Sequence, residues 1–407
     1  MMEAVAVRPV EKPKVVVAKV GLTGNYAAAY AARDVDVDVV AAYPITPQTT
    51  IVEKLAEFVH NGELDAEFVT VESEHSAMSA VIGASAAGAR VFTATAAQGL
   101  ELMHETLHMA SGLRLPVVMA VPGRALSAPI SIHGDYQDVM NARDTGWIIF
   151  IASTAQEIYD TIIMAYRVAE DPRVLLPVMV AYDGFLMSHT TEPVELYDQK
   201  VVREFTPRRH RERMLLDPRH PVTMGVLATP DWYYEIKYQV LDALKRSIAV
   251  INEVQAEFEK TFGKHYSAVE GYMADDADYI VVTYGGAATW NAVEAAKEAR
   301  ARGIKAGVVR LRLFRPFPSY ELVKAIEDAK AVAVLDRALA PGAPLEGPVY
   351  YDVLSSLYIN GIDKPLLSVV HGISQRTIYV RDVYELFQKL KEYAGARPKE
   401  TVFMGLR

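Results

Sequence analysis

His104-Glu105-Thr106-Leu107-His108 sets two imidazoles four residues apart. On a helix such residues share a face, so both rings could hold zinc with Glu105 as general base. A catalytic zinc also needs a third protein ligand. The long metzincin spacing is absent, because Gly112 falls one residue late and no histidine follows nearby; the next glutamate is Glu157. Read as a partly exposed helix face, the same segment needs no metal. Glu72 and Glu74 close the apolar run 66–71, and being two apart they fall on one side of a pleat. One of them can be a solvated surface charge and the other a site acid. Arg124 lies in a long loop after the apolar run 116–121, and its planar fork suits a carboxylate substrate. A loop-bracing ion pair would use the same residue type. His133, in the same loop, has the chemistry of an acid, a base or a structural hydrogen-bond donor.

These residues need a frame to bring them together. Tyr43-Pro44-Ile45-Thr46-Pro47-Gln48-Thr49-Thr50 follows an apolar run at 35–42 and precedes helix-spaced apolar residues at 51–58. Two prolines forbid a continuous ladder, so the segment is a strand-to-helix turn, with Thr46 or Thr49 expected as the helix cap. In an open parallel sheet, ligands sit at such turns, at the carboxyl ends of strands. Strand-like and helix-like runs alternate through residue 184, which predicts an α/β unit with a mostly parallel sheet. Apolar residues Val240, Leu244, Ile248, Ile251, Val254 and Phe258 recur at helical steps within one long helix over 232–262. Their stripe would pack on the first unit or on a partner chain. A second α/β unit begins near Tyr279. The expected division is 1–195, a linker with the long helix at 196–273, a second domain at 274–395 and a tail at 396–407.

Composition narrows the function. The 407 residues suffice for two or three domains, and 51% hydrophobic with 23% charged residues is globular. A net charge of −9 gives no basic footprint, which argues against nucleic acid and anionic membranes as partners. The dense basic run 207–213 reads as a solvated loop or subunit contact. Apolar runs are too short to span a bilayer, and residues 1–14 have no signal-peptide core, so a cytoplasmic protein is expected. The chain has no cysteine, which excludes disulfides and any iron–sulfur cluster held by its own thiolates.

Several motifs occur in one order: Tyr43-Pro44-Ile45-Thr46-Pro47; Ser73-Glu74; Thr95-Ala96-Ala97-Gln98-Gly99-Leu100; Gly123-Arg124-Ala125; Ser131-Ile132-His133-Gly134-Asp135-Tyr136-Gln137-Asp138; and Ala142-Arg143-Asp144-Thr145-Gly146. With Tyr182-Asp183-Gly184-Phe185 and Val334-Leu335-Asp336-Arg337, the chain resembles the alpha subunit of 2-oxoacid:ferredoxin oxidoreductases, most closely the pyruvate type. The likeness runs from about Gly24 to Phe387.

The resemblance implies a pyrimidine-binding domain of thiamine-diphosphate enzymes followed by a transketolase C-terminal-like domain. It implies thiamine diphosphate shared with a beta subunit, with Tyr43, Pro44, Ile45, Thr46 and Glu74 toward the cofactor. Glu74 matches the glutamate that activates the aminopyrimidine. Thr46 and Arg124 match residues that hold the 2-oxoacid, Arg124 at its carboxylate. The implied reaction decarboxylates pyruvate, passes electrons to ferredoxin and transfers the acyl group to coenzyme A, or runs in reverse; branched-chain 2-oxoacids are the alternative substrates. Beta, gamma and delta-type chains are the implied partners, and the lack of a fused gamma-type domain favours a separate gamma chain. The residues support that division of labour. No Gly-Asp-Gly with a downstream asparagine announces a magnesium-held diphosphate, so Mg2+ and the [4Fe-4S] clusters are expected on partners.

Overall fold

The computed structural model describes residues 15–208 and 214–407. In chain order, β1 (Val16–Thr23) and α1 (Gly24–Asp34) lead to β2 (Val39–Ala42), α2 (Thr49–His60), β3 (Glu67–Thr70), α3 (Glu74–Ala86), β4 (Val91–Ala94), α4 (Gln98–Leu102) and α5 (His104–Gly112). Then come β5 (Val117–Gly123), α6 (Gln137–Asn141), β6 (Ile148–Ile151), α7 (Ala155–Ala169), β7 (Val178–Asp183), α8 (Leu186–His189), β8 (Thr191–Tyr197), α9 (Gln199–Phe205) and the long α10 (Pro230–Phe262). The second half runs β9 (Val269–Tyr272), β10 (Tyr279–Thr283), α11 (Gly286–Ala301), β11 (Ala306–Leu311), β12 (Leu313–Arg315) and α12 (Ser319–Ile326). It ends with β13 (Ala331–Asp336), α13 (Pro348–Ile359), β14 (Leu366–His371), α14 (Val380–Tyr393) and β15 (Val402–Met404).

Two main sheets result. The first is ordered β12-β6-β7-β5-β4-β2-β3, parallel except for β12; the second is β15-β14-β13-β10-β11-β9, parallel except for β9. Strands β4, β6, β7, β10, β11 and β13 are buried along their whole length. Helices cover both faces, which is why these strands read as continuous apolar runs rather than alternating ones. The chain is α/β, as expected. No helix among the described residues is long and apolar enough to cross a membrane.

Local departures have physical reasons. The strand expected from 35 starts at Val39, because Val35 closes α1 and Asp36 turns left-handed at φ 62°. The segment carrying His104 and His108 is helical, and Met103 separates α4 from α5. Neither Thr46 nor Thr49 caps α2; Gln48 occupies that position without a side-chain cap bond. Its amide is committed elsewhere, donating to the Ala94 carbonyl at 2.7 Å and accepting from Ile45 N at 3.2 Å. Strand β12 has no strong signal in sequence: it comes from the second half of the chain yet pairs antiparallel with β6 of the first sheet. The stripe on α10 packs on the first unit, where Phe258 and Phe262 join Tyr197 and Phe205 in an aromatic cluster, with Phe258 and Phe262 centroids 4.5 Å apart. Of the basic run, residues 209–213 lie outside the described residues. Arg208 pairs with Asp36 and Asp38, bracing the chain against the start of β2.

A buried ionic node ties α7 to the second sheet. Glu157 accepts from Arg310 at 2.7 and 2.8 Å and from Arg312 Nε at 2.8 Å, and it also takes the backbone N–H of Ser153. Burial alone would raise the Glu157 pKa, but the two guanidinium groups hold it down to about 2. Its stabilising contribution is therefore present above the ordinary carboxylate range and is lost as pH falls through about 2. Replacing Glu157 by alanine leaves the buried Arg312 without a carboxylate and the buried Arg310 with Glu270 alone. Chemical denaturation of Glu157→Ala at neutral pH is expected to show a loss of about 3–5 kcal/mol; a change within experimental error would refute the role of the node.

Candidate active site

Because β2, β3, β4, β5 and β7 are mutually parallel, the loops leaving their carboxyl ends lie along one edge. That edge collects the segment after β2 with Tyr43 to Pro47, the turn before α3 with Glu74, the turn 95–97 after β4, and Arg124 after β5. This is where an open parallel sheet builds ligand sites.

The Pro-Ile-Thr-Pro turn is anchored from below. Asn25, fully buried at the start of α1, donates to the Pro47 carbonyl at 2.6 Å and to Thr50 Oγ1 at 2.8 Å, and its own oxygen accepts from Tyr182 at 2.9 Å. Above this anchor Tyr43, Pro44 and Thr46 are exposed, and Ile45 is half-buried. The Thr46 carbonyl accepts from Arg124 Nη1 at 2.8 Å, so two residues 78 positions apart meet at the site. Arg124 is itself buried, with Nε on the Ser131 carbonyl at 2.9 Å, and desolvation lowers its pKa. A guanidinium in this setting binds a carboxylate more strongly than one in water.

Glu74 occupies the first turn of α3, which Ser73 caps by accepting from Ser76 N. It is 6% exposed, and its carboxylate has no hydrogen-bond or ion-pair partner among the described residues. Glu72, expected on the same side of a pleat, diverges from it. Strand β3 ends at Thr70 and the helix starts at Glu74, so Glu72 stays exposed and accepts from Ser76 Oγ at 2.9 Å. Gly99 faces Glu74 across the edge: a methyl group there would lie 2.7 Å from Glu74 Oε1 and would also meet Thr95 Oγ1. That Thr95 hydroxyl is buried and without a partner. An unpaired acid, an orphaned hydroxyl and a glycine-only gap form a cradle with spare hydrogen-bonding capacity, which fits a flat nitrogen heterocycle.

Asp138 links the two sides. It is fully buried, its Oδ2 accepts Ala97 N at 2.7 Å and Arg124 N at 3.1 Å, and its Oδ1 accepts Val139 N at 2.8 Å. Burial pushes its pKa up to about 7 against the pull of these three N–H donors. Asp138 and Thr95 stand within the sequence motifs and Asn25 outside them, and their spacing carries no hint of these roles.

The histidine pair is placed elsewhere, on α5. His104 and His108 stack edge to face at 5.3 Å on α5, and Glu105 lies beside His75 at 3.9 Å on an exposed surface. Among the described residues no group of three His, Cys, Asp or Glu could hold a metal, so none of them gives the pair the third ligand that a catalytic zinc needs. His133 is exposed, with its ring against Phe185.

Residues 30–256 match the family described as pyruvate flavodoxin/ferredoxin oxidoreductase, thiamine diphosphate-binding, and residues 277–383 match pyruvate:ferredoxin oxidoreductase core domain II. The pyruvate synthase subunit PorA of Pyrococcus abyssi is 47% identical over 95% of this chain and 98% of its own length. The PorA of Thermotoga maritima is 47% identical over 92% of this chain and 94% of its own. The ketoisovalerate oxidoreductase subunit VorA of Pyrococcus horikoshii is 46% identical over 95% and 98%. Among solved structures, a 2-oxoglutarate:ferredoxin oxidoreductase from Magnetococcus marinus superposes with a TM-score of 0.68 at 18% identity, covering 96% of this chain and 68% of that one. A split-gene transketolase superposes at 0.54 and 16% identity, covering 92% and 100%. These two show a shared fold.

The Asp138 geometry makes a stability prediction. In Asp138→Asn, the amide NH2 must face a backbone N–H, at a cost of about 1–3 kcal/mol. The raised folded pKa means that wild type loses stability as pH rises from about 3.8 through about 7, as the unfolded chain ionises first. Denaturation midpoints should therefore show the advantage of wild type over Asp138→Asn shrinking across that range. A pH-independent gap would refute the assignment.

Proposed function

Because the chain belongs to the pyruvate flavodoxin/ferredoxin oxidoreductase family, we propose that Glu74, Arg124 and Thr46 are the working residues of the alpha subunit of a thiamine-diphosphate-dependent, coenzyme A-acylating 2-oxoacid:ferredoxin oxidoreductase of the pyruvate class. The observation that carries this reading is the meeting of Arg124 with Thr46 at the sheet edge that also presents the unpaired carboxylate of Glu74.

Each residue has a task its environment suits. Arg124 binds the substrate carboxylate through the part of its fork left free by Thr46 and Ser131. Thr46, exposed beside it, offers its hydroxyl to the substrate's oxygen atoms. Tyr43, Pro44 and Ile45 form the rigid wall of the pocket. Glu74 hydrogen-bonds a ring nitrogen of the aminopyrimidine and holds or gives up a proton there. Thiamine diphosphate, when bound, supplies the carbon nucleophile and electron sink for decarboxylation. The chain has no cysteine and so provides no thiolate for a cluster. The diphosphate with its Mg2+, the [4Fe-4S] clusters and the path to ferredoxin fall to beta, gamma and delta-type chains in a cytoplasmic complex. Similarity to both PorA and VorA relatives supports pyruvate with branched-chain 2-oxoacids as the second substrate class.

In the assembled complex, Arg124→Ala should lower turnover of pyruvate about 100-fold or more, the loss expected for one charge-assisted carboxylate contact of about 3 kcal/mol, with cofactor still bound. Unchanged kinetics would remove Arg124 from the substrate site. Glu74→Gln keeps the shape but removes the acid, and steady-state assays should show a loss on the order of 10²–10⁴-fold; near-wild-type turnover would point to a chain that scaffolds the complex without taking part in its chemistry.

A further inference from the structure

A cavity of about 510 Å³ is lined by His133, from the loop that carries Arg124, and by residues from both halves of the chain. Its size falls in the range of small-molecule sites. Trp290, Leu186 and Met187 give it an apolar wall. The polar lining is one-sided: His133, Arg337, His371, Gln375 and Arg376 face it, and no Asp or Glu does among the described residues. Arg337 is neutralised by Asp183, which also takes the N–H of Gly286. Arg376 is different. It is exposed at the mouth, and its guanidinium has no carboxylate partner among the described residues. The first residues of α11, Gly286 and Ala287, line the same space, and the preceding Gly285 gives the helix no side-chain cap. This 16-residue helix thus starts at the cavity with its first N–H already taken by the Asp183 carboxylate, so the free positive charge at the cavity is that of Arg376.

The independent sign of a ligand is His371. It lines the cavity, is 2% exposed, and neither ring nitrogen has a hydrogen-bond partner. A buried polar group left unpaired costs free energy, and a native fold rarely leaves both nitrogens of one imidazole so. Gln375 Oε1 beside it is also without a partner. Ser374 and Gln375 hold left-handed backbone at φ 51° and 61°, a conformation non-glycine residues keep mainly where a site needs it. The same turn touches the active-site loop: Ser374 Oγ lies 2.5 Å from Ser131 Oγ, and Gln375 N donates to the Gly134 carbonyl at 2.7 Å.

We propose that this cleft binds a small organic anion, one carrying a phosphoryl or carboxylate group, with Arg376 on the charged group, His371 and Gln375 on its hydroxyl or amide groups, and Trp290 against its apolar part. None of these residues belongs to the catalytic set, so the proposal stands apart from the reading of Glu74 and Arg124.

Trp290 reports on occupancy. The chain has three tryptophans, and in the full chain carrying Trp232→Phe the other indole is Trp147, which is fully buried. Inorganic phosphate and acetate are titrated separately, with ionic strength held constant by choline chloride. At least one should change Trp290 emission saturably in the millimolar range. The tighter of the two identifies the head group as phosphoryl or carboxylate. Arg376→Ala, at an exposed position that does not threaten folding, should weaken the response about tenfold or more. His371→Phe, which removes both ring nitrogens, should weaken it in the same direction. A linear, non-saturating response to both anions, or a response that Arg376→Ala leaves unchanged, would overturn the site.

Discussion

The buried carboxyl group of Asp138 holds the candidate site together. It draws the backbone N–H of Ala97 from the turn after β4 and that of Arg124 from the end of β5 onto one oxygen. Ala97 sits at φ 48°, a left-handed conformation that costs a non-glycine residue energy and persists only when its surroundings fix it. With Ala97 held, Gly99 falls opposite Glu74; with the Arg124 backbone held, its guanidinium reaches Thr46. Removing a carboxylate from water is costly, and three N–H donors offset part of that cost. The group works as a positioning element because its hydrogen bonds leave it little freedom.

The two sheets are joined by the same kind of interaction. Asp183, the last residue of β7, pairs with Arg337 just after β13, while Arg337 also donates to the Gly134 and Gly372 carbonyls. The Glu157 node repeats the arrangement between α7 and β11. Buried ion pairs add little net stability compared with well-packed apolar groups, but a misplaced partner is heavily penalised. Their effect is to select one relative orientation of the sheets. Close backbone contact among Gly123, Gly134 and Gly184 seats the loop on the first sheet, since a side chain at any of them would meet main-chain atoms, while the Gly134 carbonyl accepts from Arg337 of the second. The loop bearing Arg124 is therefore held by both sheets.

The turn at Tyr43, Pro44 and Thr46 is exposed on the outside, although Asn25, the anchor beneath it, is fully buried. A pocket for a charged substrate and a large cofactor ordinarily excludes water on all sides. The turn is thus open on its outer face and rigid on its inner face.

Much of this was legible in the sequence. The alternation of apolar runs with helix-spaced segments determined an α/β chain, because burial on both faces of a parallel sheet leaves a local signature that needs no knowledge of partners. The helix over 232–262, the turn at Pro44 and Pro47, and the absence of thiolate chemistry were equally local or compositional. The ordered motifs singled out Glu74, Arg124 and Thr46. The tertiary structure alone decided what depends on contacts far apart in the chain. It separated Glu72 from Glu74 by starting a helix between them, took Gln48 rather than a threonine into the capping position, and left His104 and His108 without a third ligand among the described residues. It carried β12 across to the first sheet and paired Asp183 with Arg337, 154 residues away. Periodicity records which face of an element is buried; it does not record what lies against that face, because hydrogen bonds and ion pairs between distant segments leave no spacing to read.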